Sequence, residues 1–591
     1  MKSFLKFTLA SILGFFITGI ILIFIIIGII GGIVSSTQND TINIQTNTVL
    51  TLNLSNGVVE RSFKNPLEDM NFKTFKPNGK VGLNDILKNL KRAKEDQNIK
   101  GIYLNSTGIN AGIGTIEEIR NALIDFKTSG KFIIAYSDIY TQGSYYLSTV
   151  ADQIYLNPEG IVEFKGLSAQ LMFFKDALDK LGIQPIIIRG KNNKFKSAVE
   201  PFMYNHISEA NKLQTLTYMS SIWGHLLQGI SKTRKIPISQ LNLLADSMLI
   251  NSAKDAVKYQ LIDSLKYYDE VLAELKNRSE TKTTSDINFM SISDYTNVPR
   301  ASTGKGLIKN KIAVIYANGE INMGDGSDKE IGSEGLSKAI RKARLDANIK
   351  AIVLRVNSPG GSALASEVIW REVTLAKKAK PVVVSMGDVA ASGGYYISSP
   401  ADKIYANPVT ITGSIGVFGI MWNGQTLMNQ LGINSDAVNT NLHSDIGNTS
   451  RPMSDAEYAT IQKSVEDIYD VFIGHVAEGR NKTKEAVDAI GQGRVWSGEN
   501  AKEIGLIDEF GGLTDAIEGA KQLAEIEDYR IVEYPEQENP FDLLLKDFSG
   551  QVKAYVIENE LGNSYTYYNR LNQLTKLNGV QARIPFVVDI H

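Results

Sequence analysis

Hydrophobic positions along this chain follow two regimes. From Phe7 to Val34 they form one run of 28 residues without a charge, dominated by Ile, Leu, Phe and Gly. A helix needs roughly 20 such residues to cross a bilayer. Lys2 and Lys6 precede the run, so the positive-inside bias predicts a cytoplasmic N-terminus and a body on the far side. Ser35 and Ser36 are small enough for a signal-peptide cleavage site, but the apolar core is about twice the usual h-region length, which favours an uncleaved anchor. Beyond the run, apolar residues gather in short β-branched clusters: Ile312-Ala-Val-Ile-Tyr316, Ala351-Ile-Val-Leu-Arg-Val356 and Pro381-Val-Val-Val384. These predict strands, and Ser333 to Ala347 between the first two has helical spacing. Strands alternating with helices imply right-handed βαβ units around a mostly parallel sheet.

The pattern is written twice, at a spacing of 250 residues (96 to 346, 151 to 401). Asp96-Gln-Asn-Ile-Lys100 matches Asp346-Ala-Asn-Ile-Lys350, and Ala151-Asp-Gln-Ile-Tyr-Leu-Asn-Pro158 matches Ala401-Asp-Lys-Ile-Tyr-Ala-Asn-Pro408. Leu181-Gly-Ile183 and Gly224-His225 recur as Leu431-Gly-Ile433 and Gly474-His475. Two homologous α/β domains therefore follow one another. The expected organisation is an N-terminal stub, anchor and junction (1–45), a first repeat (46–276), a polar linker (277–305), a second repeat (306–535) and a C-terminal tail (536–591) of unassigned fold.

Composition narrows the chemistry. A chain of 591 residues, 43% hydrophobic, can bury at least two cores. A net charge of -2 gives no electrostatic reason to expect nucleic acid. The absence of cysteine removes disulfides, thiolate metal sites and a thiol nucleophile. Five histidines without an HExxH motif or a pair at ligand spacing make a catalytic zinc site improbable. No metal and no cofactor are expected.

The most informative segment is Met386-Gly-Asp-Val-Ala-Ala-Ser-Gly-Gly-Tyr-Tyr-Ile-Ser398. It sets Ser392 among Ala and Gly at a strand-to-helix turn, where a hydroxyl can meet a substrate backbone. The first copy reads Tyr136-Ser-Asp-Ile-Tyr-Thr-Gln-Gly-Ser-Tyr-Tyr-Leu-Ser148, with Gln142 at the serine's place. A serine nucleophile needs a base for its proton and N–H donors for the oxyanion. Gly393 follows Ser392, and Asn357-Ser-Pro-Gly-Gly361 follows a predicted strand. Both glycine clusters also suit tight turns of an α/β fold.

The base is less legible. His225 and His475 are equivalent, although only one copy carries the serine, so packing explains them better than catalysis. His206, His443 and His591 lie in polar surroundings, and His443 stays open as a base. Lysine serves if burial lowers its pKa. Lys196, in Lys194-Phe-Lys-Ser-Ala-Val-Glu-Pro-Phe-Met203, has an unusual setting but taken alone reads as a surface lysine.

Ala391-Ser-Gly-Gly394, Asn357-Ser-Pro-Gly-Gly361, Thr412-Gly-Ser-Ile-Gly416 and Phe195-Lys-Ser-Ala-Val-Glu-Pro-Phe202 together resemble the signal peptide peptidase A family in its long, duplicated, membrane-anchored form. The resemblance covers most of the chain. It implies two tandem crotonase/Clp-like domains and a Ser-Lys dyad serine endopeptidase. Ser392 would be the nucleophile, and Lys196, from the other copy, the general base. Ser414 would position the lysine, and the backbone N–H groups of Gly360 or Gly361 and of Gly393 would form the oxyanion hole. Near the lysine's equivalent at the 250 offset stands Ile446, so each copy holds half a site. The resemblance further implies a homotetramer on the outer face of the cytoplasmic membrane that degrades cleaved signal peptides and other short apolar peptides. Two rival readings are a crotonase-like acyl-CoA enzyme, which the extracytoplasmic body disfavours, and a catalytically inactive membrane scaffold.

Overall fold

The computed structural model describes residues 43–537 and 579–584, except 63–69, 72–75, 78, 106, 283–285, 300–307 and 328, together with 6–8, 10–21 and 28. The predicted membrane span, Phe7 to Val34, thus lies in part outside the described residues. Among the described residues no helix is long and apolar enough to cross a membrane.

In the first copy, strands β1 (Thr48–Leu52), β2 (Ile99–Leu104), β3 (Phe132–Tyr140), β4 (Gln153–Val162), β5 (Gln184–Arg189), β6 (Ser264–Leu265) and β7 (Phe289–Ser291) are formed. All but β5 build a six-stranded parallel sheet in the order β6-β4-β3-β2-β1-β7. Its central strands read as continuous apolar runs because helices cover both faces. Ile102, Leu104, Ile133 and Ala135 are at most 1% exposed. Helix α1 (Leu83–Glu95) turns Leu83, Ile86, Leu90 and Ala93 inward at three- and four-residue spacing.

The second copy repeats this plan. Strands β8 (Lys311–Asn318), β9 (Glu320–Asn322), β10 (Gly326–Ser327), β11 (Glu330–Gly332), β12 (Ile349–Ser358), β13 (Gly360–Ser362), β14 (Val382–Ala391), β15 (Lys403–Ala406), β16 (Ile411–Gly413), β17 (Phe418–Asn423), β18 (Val495–Ser497), β19 (Glu509–Phe510) and β20 (Arg530–Tyr534) follow. The main sheet runs β18-β16-β14-β12-β8-β20, with β15 and β19 attached beside β14. Helix α2 (Ser333–Leu345) occupies the place of α1 at the 250 offset and buries Leu336, Ala339, Ile340 and Ala343. The three strands and the helix expected from periodicity are all present.

Two segments behave differently from their sequence pattern. The polar stretch 277–305, expected as a linker, contributes β7, which pairs in parallel with β1. An edge strand of three residues is too short to show a period of two. The C-terminal tail returns as β21 (Gly579–Arg583). It joins a third, seven-stranded sheet of order β10-β11-β9-β13-β21-β17-β5. That sheet joins the copies, since β5 of the first pairs antiparallel with β17 of the second.

A buried charge cluster also ties the copies. Arg355, on β12 and fully buried, pairs with Glu60 and Glu118 of the first copy, each at 2.7 Å. Burial pushes the Glu118 carboxyl up, and Arg355 opposes that shift. Glu60 also accepts from Asn357 Nδ2 at 2.7 Å, so the first copy steadies the segment leading to Pro359-Gly-Gly361.

Candidate active site

Ser392 stands between β14 and the helix Gly393–Ser398 with φ 55° and ψ -112°. Few residues other than glycine accept that conformation, so the surrounding structure must hold it. The Ser392 N–H donates to Gly413 O at 2.8 Å, and Ser392 O accepts from Tyr396 N at 2.8 Å. Neighbouring glycines are required by space. A Cβ on Gly393 would lie 2.7 Å from Ser366 Oγ, and one on Gly394 would lie 2.7 Å from Ser358 O.

Lys196 arrives from the first copy through β5 and the loop after it. Asn193 Nδ2 donates to Val417 O at 2.9 Å, and Phe195 N donates to Gln492 O at 2.9 Å. This stitches the loop to the second copy on the approach to the lysine. Gln214, on the helix Glu209–Arg234, binds Phe195 O and Ser197 Oγ with its amide nitrogen at 3.0 and 2.9 Å, and its oxygen accepts from Val495 N at 3.1 Å. Gly493, with φ 81°, packs so closely that an added Cβ would lie 2.5 Å from Lys196 Cβ.

The reading of Lys196 as a surface lysine does not hold, because the side chain is 0% exposed. Its Nζ lies 2.7 Å from Ser392 Oγ, 3.0 Å from Ser414 Oγ and 3.2 Å from Ser414 O. Burial lowers its pKa well below the ordinary lysine value. A buried amine with that bias can exist neutral and accept a proton. Ser414 has φ 50° and is pinned by its N–H to Arg494 O at 2.7 Å.

The glycines of Asn357-Ser-Pro-Gly-Gly361 sit across from Ser392. Gly360 has φ 95°, and a Cβ there would be 2.7 Å from Gly393 N. Its own N–H donates to Ser358 Oγ at 3.2 Å. Gly361 pairs with Ile321 of β9 on one side and with Ala582 of β21 on the other. The backbone of β13 thus lies close to Gly393, the residue after Ser392.

Among the described residues, Gln142 of the first copy is held differently. Its side-chain oxygen accepts from Lys165 N and Gly166 N at 2.9 and 2.8 Å, and its amide donates to Gly166 O at 2.9 Å. Gly166 matches Gly416 at the 250 offset, and Gly416 O lies 3.4 Å from Ser392 Oγ. The glutamine therefore makes local hydrogen bonds at the position that Ser392 holds in the second copy. Ile446 lies on a turn and is 45% exposed. His225 and His475 pair with the equivalent Glu117 and Glu367 at 3.1 and 3.0 Å. Tyr146 and Tyr396 bind the same two carboxylates, so both histidines belong to a repeated packing unit. His443 pairs with Glu457 at 3.3 Å.

Sequence reasoning missed Gln214 and Gly493. The only local sign was Gly491-Gln-Gly493, which resembles any tight turn.

The chain is similar to several known proteins. Peptidase family S49 matches residues 125–282 and 374–527, one segment per copy. Protease 4 of Salmonella typhi is 38% identical over 486 residues, covering 80% of this chain and 77% of that one. The chloroplastic serine protease SPPA of Arabidopsis thaliana is 33% identical over 518 residues, covering 86% and 75%. A solved ClpP1 mutant from Listeria monocytogenes has 18% identity and a TM-score of 0.24, covering 34% of this chain and 94% of that one, an overlap too slight to bear on the fold. With both of its repeats matched and relatives similar over most of its length, the chain belongs to peptidase family S49.

Proposed function

We propose that this protein is a membrane-anchored serine endopeptidase in which Ser392 is the nucleophile and Lys196 the general base. One observation carries the reading: a fully buried lysine amine, its pKa depressed by burial, lies 2.7 Å from the serine hydroxyl. Ser392 Oγ attacks the scissile carbonyl while Lys196 takes its proton, and the lysine then protonates the leaving amine. Water hydrolyses the resulting ester with Lys196 again as base. Ser414 Oγ, at 3.0 Å, positions the amine. The N–H groups of Gly393 and of Gly360 or Gly361 stabilise the oxyanion.

The substrates in this reading are cleaved signal peptides and other short apolar peptides, presented extended between strands. The run from Phe7 to Val34 anchors the body to the outer face of the cytoplasmic membrane. A homotetramer and the tie to the Clp and crotonase folds follow from the family resemblance.

The test is covalent labelling of the full chain by a fluorophosphonate, with turnover of an apolar peptide. Labelling at Ser392 and its loss in Ser392→Ala are expected. Full peptide turnover by purified Ser392→Ala or Lys196→Ala overturns the dyad.

A further inference from the structure

We propose that Asp388 and Asn357 are positioning residues of the reaction, which lock a bulge in the strand leading to Ser392 against the first copy. The proposal rests on the peptidase reading above and adds to it a second task for the copy that lacks the nucleophile.

The bulge is written in the register of β14. Val356 of β12 faces Met386 and Ser358 faces Ala390, so Asn357 alone stands opposite Gly387, Asp388 and Val389. Bulges bend a strand, re-aim its side chains and concentrate beside active sites. Before the bulge, Val383, Val384 and Ser385 pair with β15; after it, Val389, Ala390 and Ala391 pair with β16. That change of partner brings the end of β14 to Gly413, whose carbonyl accepts from Ser392 N, and to Ser414, whose hydroxyl lies 3.0 Å from Lys196 Nζ. The bulge thus decides which strand receives Ser392.

Groups of the first copy hold it. Asp388 Oδ1 accepts from Thr115 N at 2.7 Å, and Oδ2 accepts from Thr115 Oγ1 at 2.9 Å, at the start of the helix Ile113–Lys127. Gly112, the N-cap of that helix, offers no side chain, so a carboxylate from the other copy satisfies an N–H that the helix leaves open. The seat is tight. A Cβ on Gly112 would lie 2.2 Å from Asp388 Cγ, and one on Gly114 would lie 3.1 Å from Asp388 Cα. Asn357 completes the lock, because its Oδ1 accepts from Val389 N at 3.1 Å while its Nδ2 donates to Glu60 Oε1 at 2.7 Å. A Cβ on Gly387 would lie 2.7 Å from the same Glu60 oxygen. Each residue of the bulge therefore lies against the first copy or against a side chain that the first copy holds.

The copy without the serine treats the same positions differently. Asp138, at the place of Asp388, accepts from Asn157 Nδ2 at 3.0 Å and from the Tyr136 hydroxyl at 3.1 Å, both within its own copy. Ile161, at the place of Ile411, is 54% exposed against 5%. The seating of one copy on the strand of the other accompanies the nucleophile.

Titration of the full chain to completion with a fluorophosphonate, followed by steady-state turnover of an apolar peptide, gives kcat per reactive serine and tests the proposal. A misplacement of about 1 Å at a reacting group costs about a hundredfold in rate. Asp388→Ala and Asn357→Ala are each expected to lose about that much in kcat per titrated site, with KM within about twofold of wild type. Asp388→Asn keeps an oxygen for Thr115 N and should recover most of the loss. Thr115→Val leaves β14 unsubstituted and should lower the same constant about tenfold, with Thr115→Ser restoring it; this pair decides the matter should Asp388→Ala not fold. Asp138→Ala, the same change in the other copy, should match wild type. A merely structural role would reduce the titratable fraction and the Tm and leave kcat per site unchanged. That result in Asp388→Ala, Asn357→Ala or Thr115→Val, or an equal loss in Asp138→Ala, overturns the proposal and leaves the peptidase reading standing. Wild type that neither labels nor turns over peptide defeats the peptidase reading itself, and this proposal with it.

Discussion

Lys196 Nζ and Ser392 Oγ are 2.7 Å apart, although 196 residues separate them in the chain. One belongs to each copy, and they meet within a single chain. The meeting is arranged by β5, which leaves the first copy and pairs with β17 of the second.

Substitution of either partner is expected to remove activity without unfolding the protein. Lys196→Met should lower kcat by about 10²–10⁴-fold, the usual share of a general base. Ser414→Ala removes one hydrogen-bonding group from the amine and should lower kcat about tenfold. Steady-state kinetics on an apolar peptide, with circular dichroism as a fold control, checks both.

Peptide turnover should rise with pH through the depressed pKa of Lys196, because only the neutral amine accepts the serine proton. The stability effect has a defined sign. The folded pKa lies below the unfolded value of about 10.4, so between the two the unfolded chain binds the extra proton. Stability therefore falls as pH falls through that window. Lys196→Met escapes this penalty. Its Tm should exceed that of wild type at neutral pH, and the gap should close as pH approaches about 10.4. Thermal melts across pH measure it.

Gly493→Ala should damage the site while leaving Ser392 and Lys196 themselves unsubstituted. With φ at 81° the new residue is strained, and its Cβ would press on Lys196 at 2.5 Å. A loss of about 1–3 kcal/mol in stability is expected, with a larger fall in kcat than in substrate affinity. Denaturant unfolding and kinetics on the same preparation separate the two.

Arg355→Met should cost about 3–5 kcal/mol, since it leaves Glu60 and Glu118 buried without their cation. Adding Glu60→Gln and Glu118→Gln should restore much of that loss. A urea midpoint for each variant reads the effect.

Much of the scaffold was legible because it is local. Alternating apolar clusters and a helical stripe at Leu336, Ala339, Ile340 and Ala343 reflect periods of a few residues. The tail illustrates the opposite case. Gly579–Arg583 has no apolar alternation strong enough to announce a strand, and it is ordered by pairing with β13 and β17 far upstream.

The sequence by itself determined the duplication, the strand-to-helix turn that carries Ser392, and the loss of that serine at Gln142, since each is written in neighbouring residues or in a fixed repeat spacing. The tertiary structure alone decided what surrounds Ser392. Burial of Lys196 depends on β5 crossing between copies, on Gln214 bracing the loop and on Gly493 yielding space, and none of these leaves a periodic trace. A lysine pKa is set by the water removed around it, and that removal is the work of residues hundreds of positions apart.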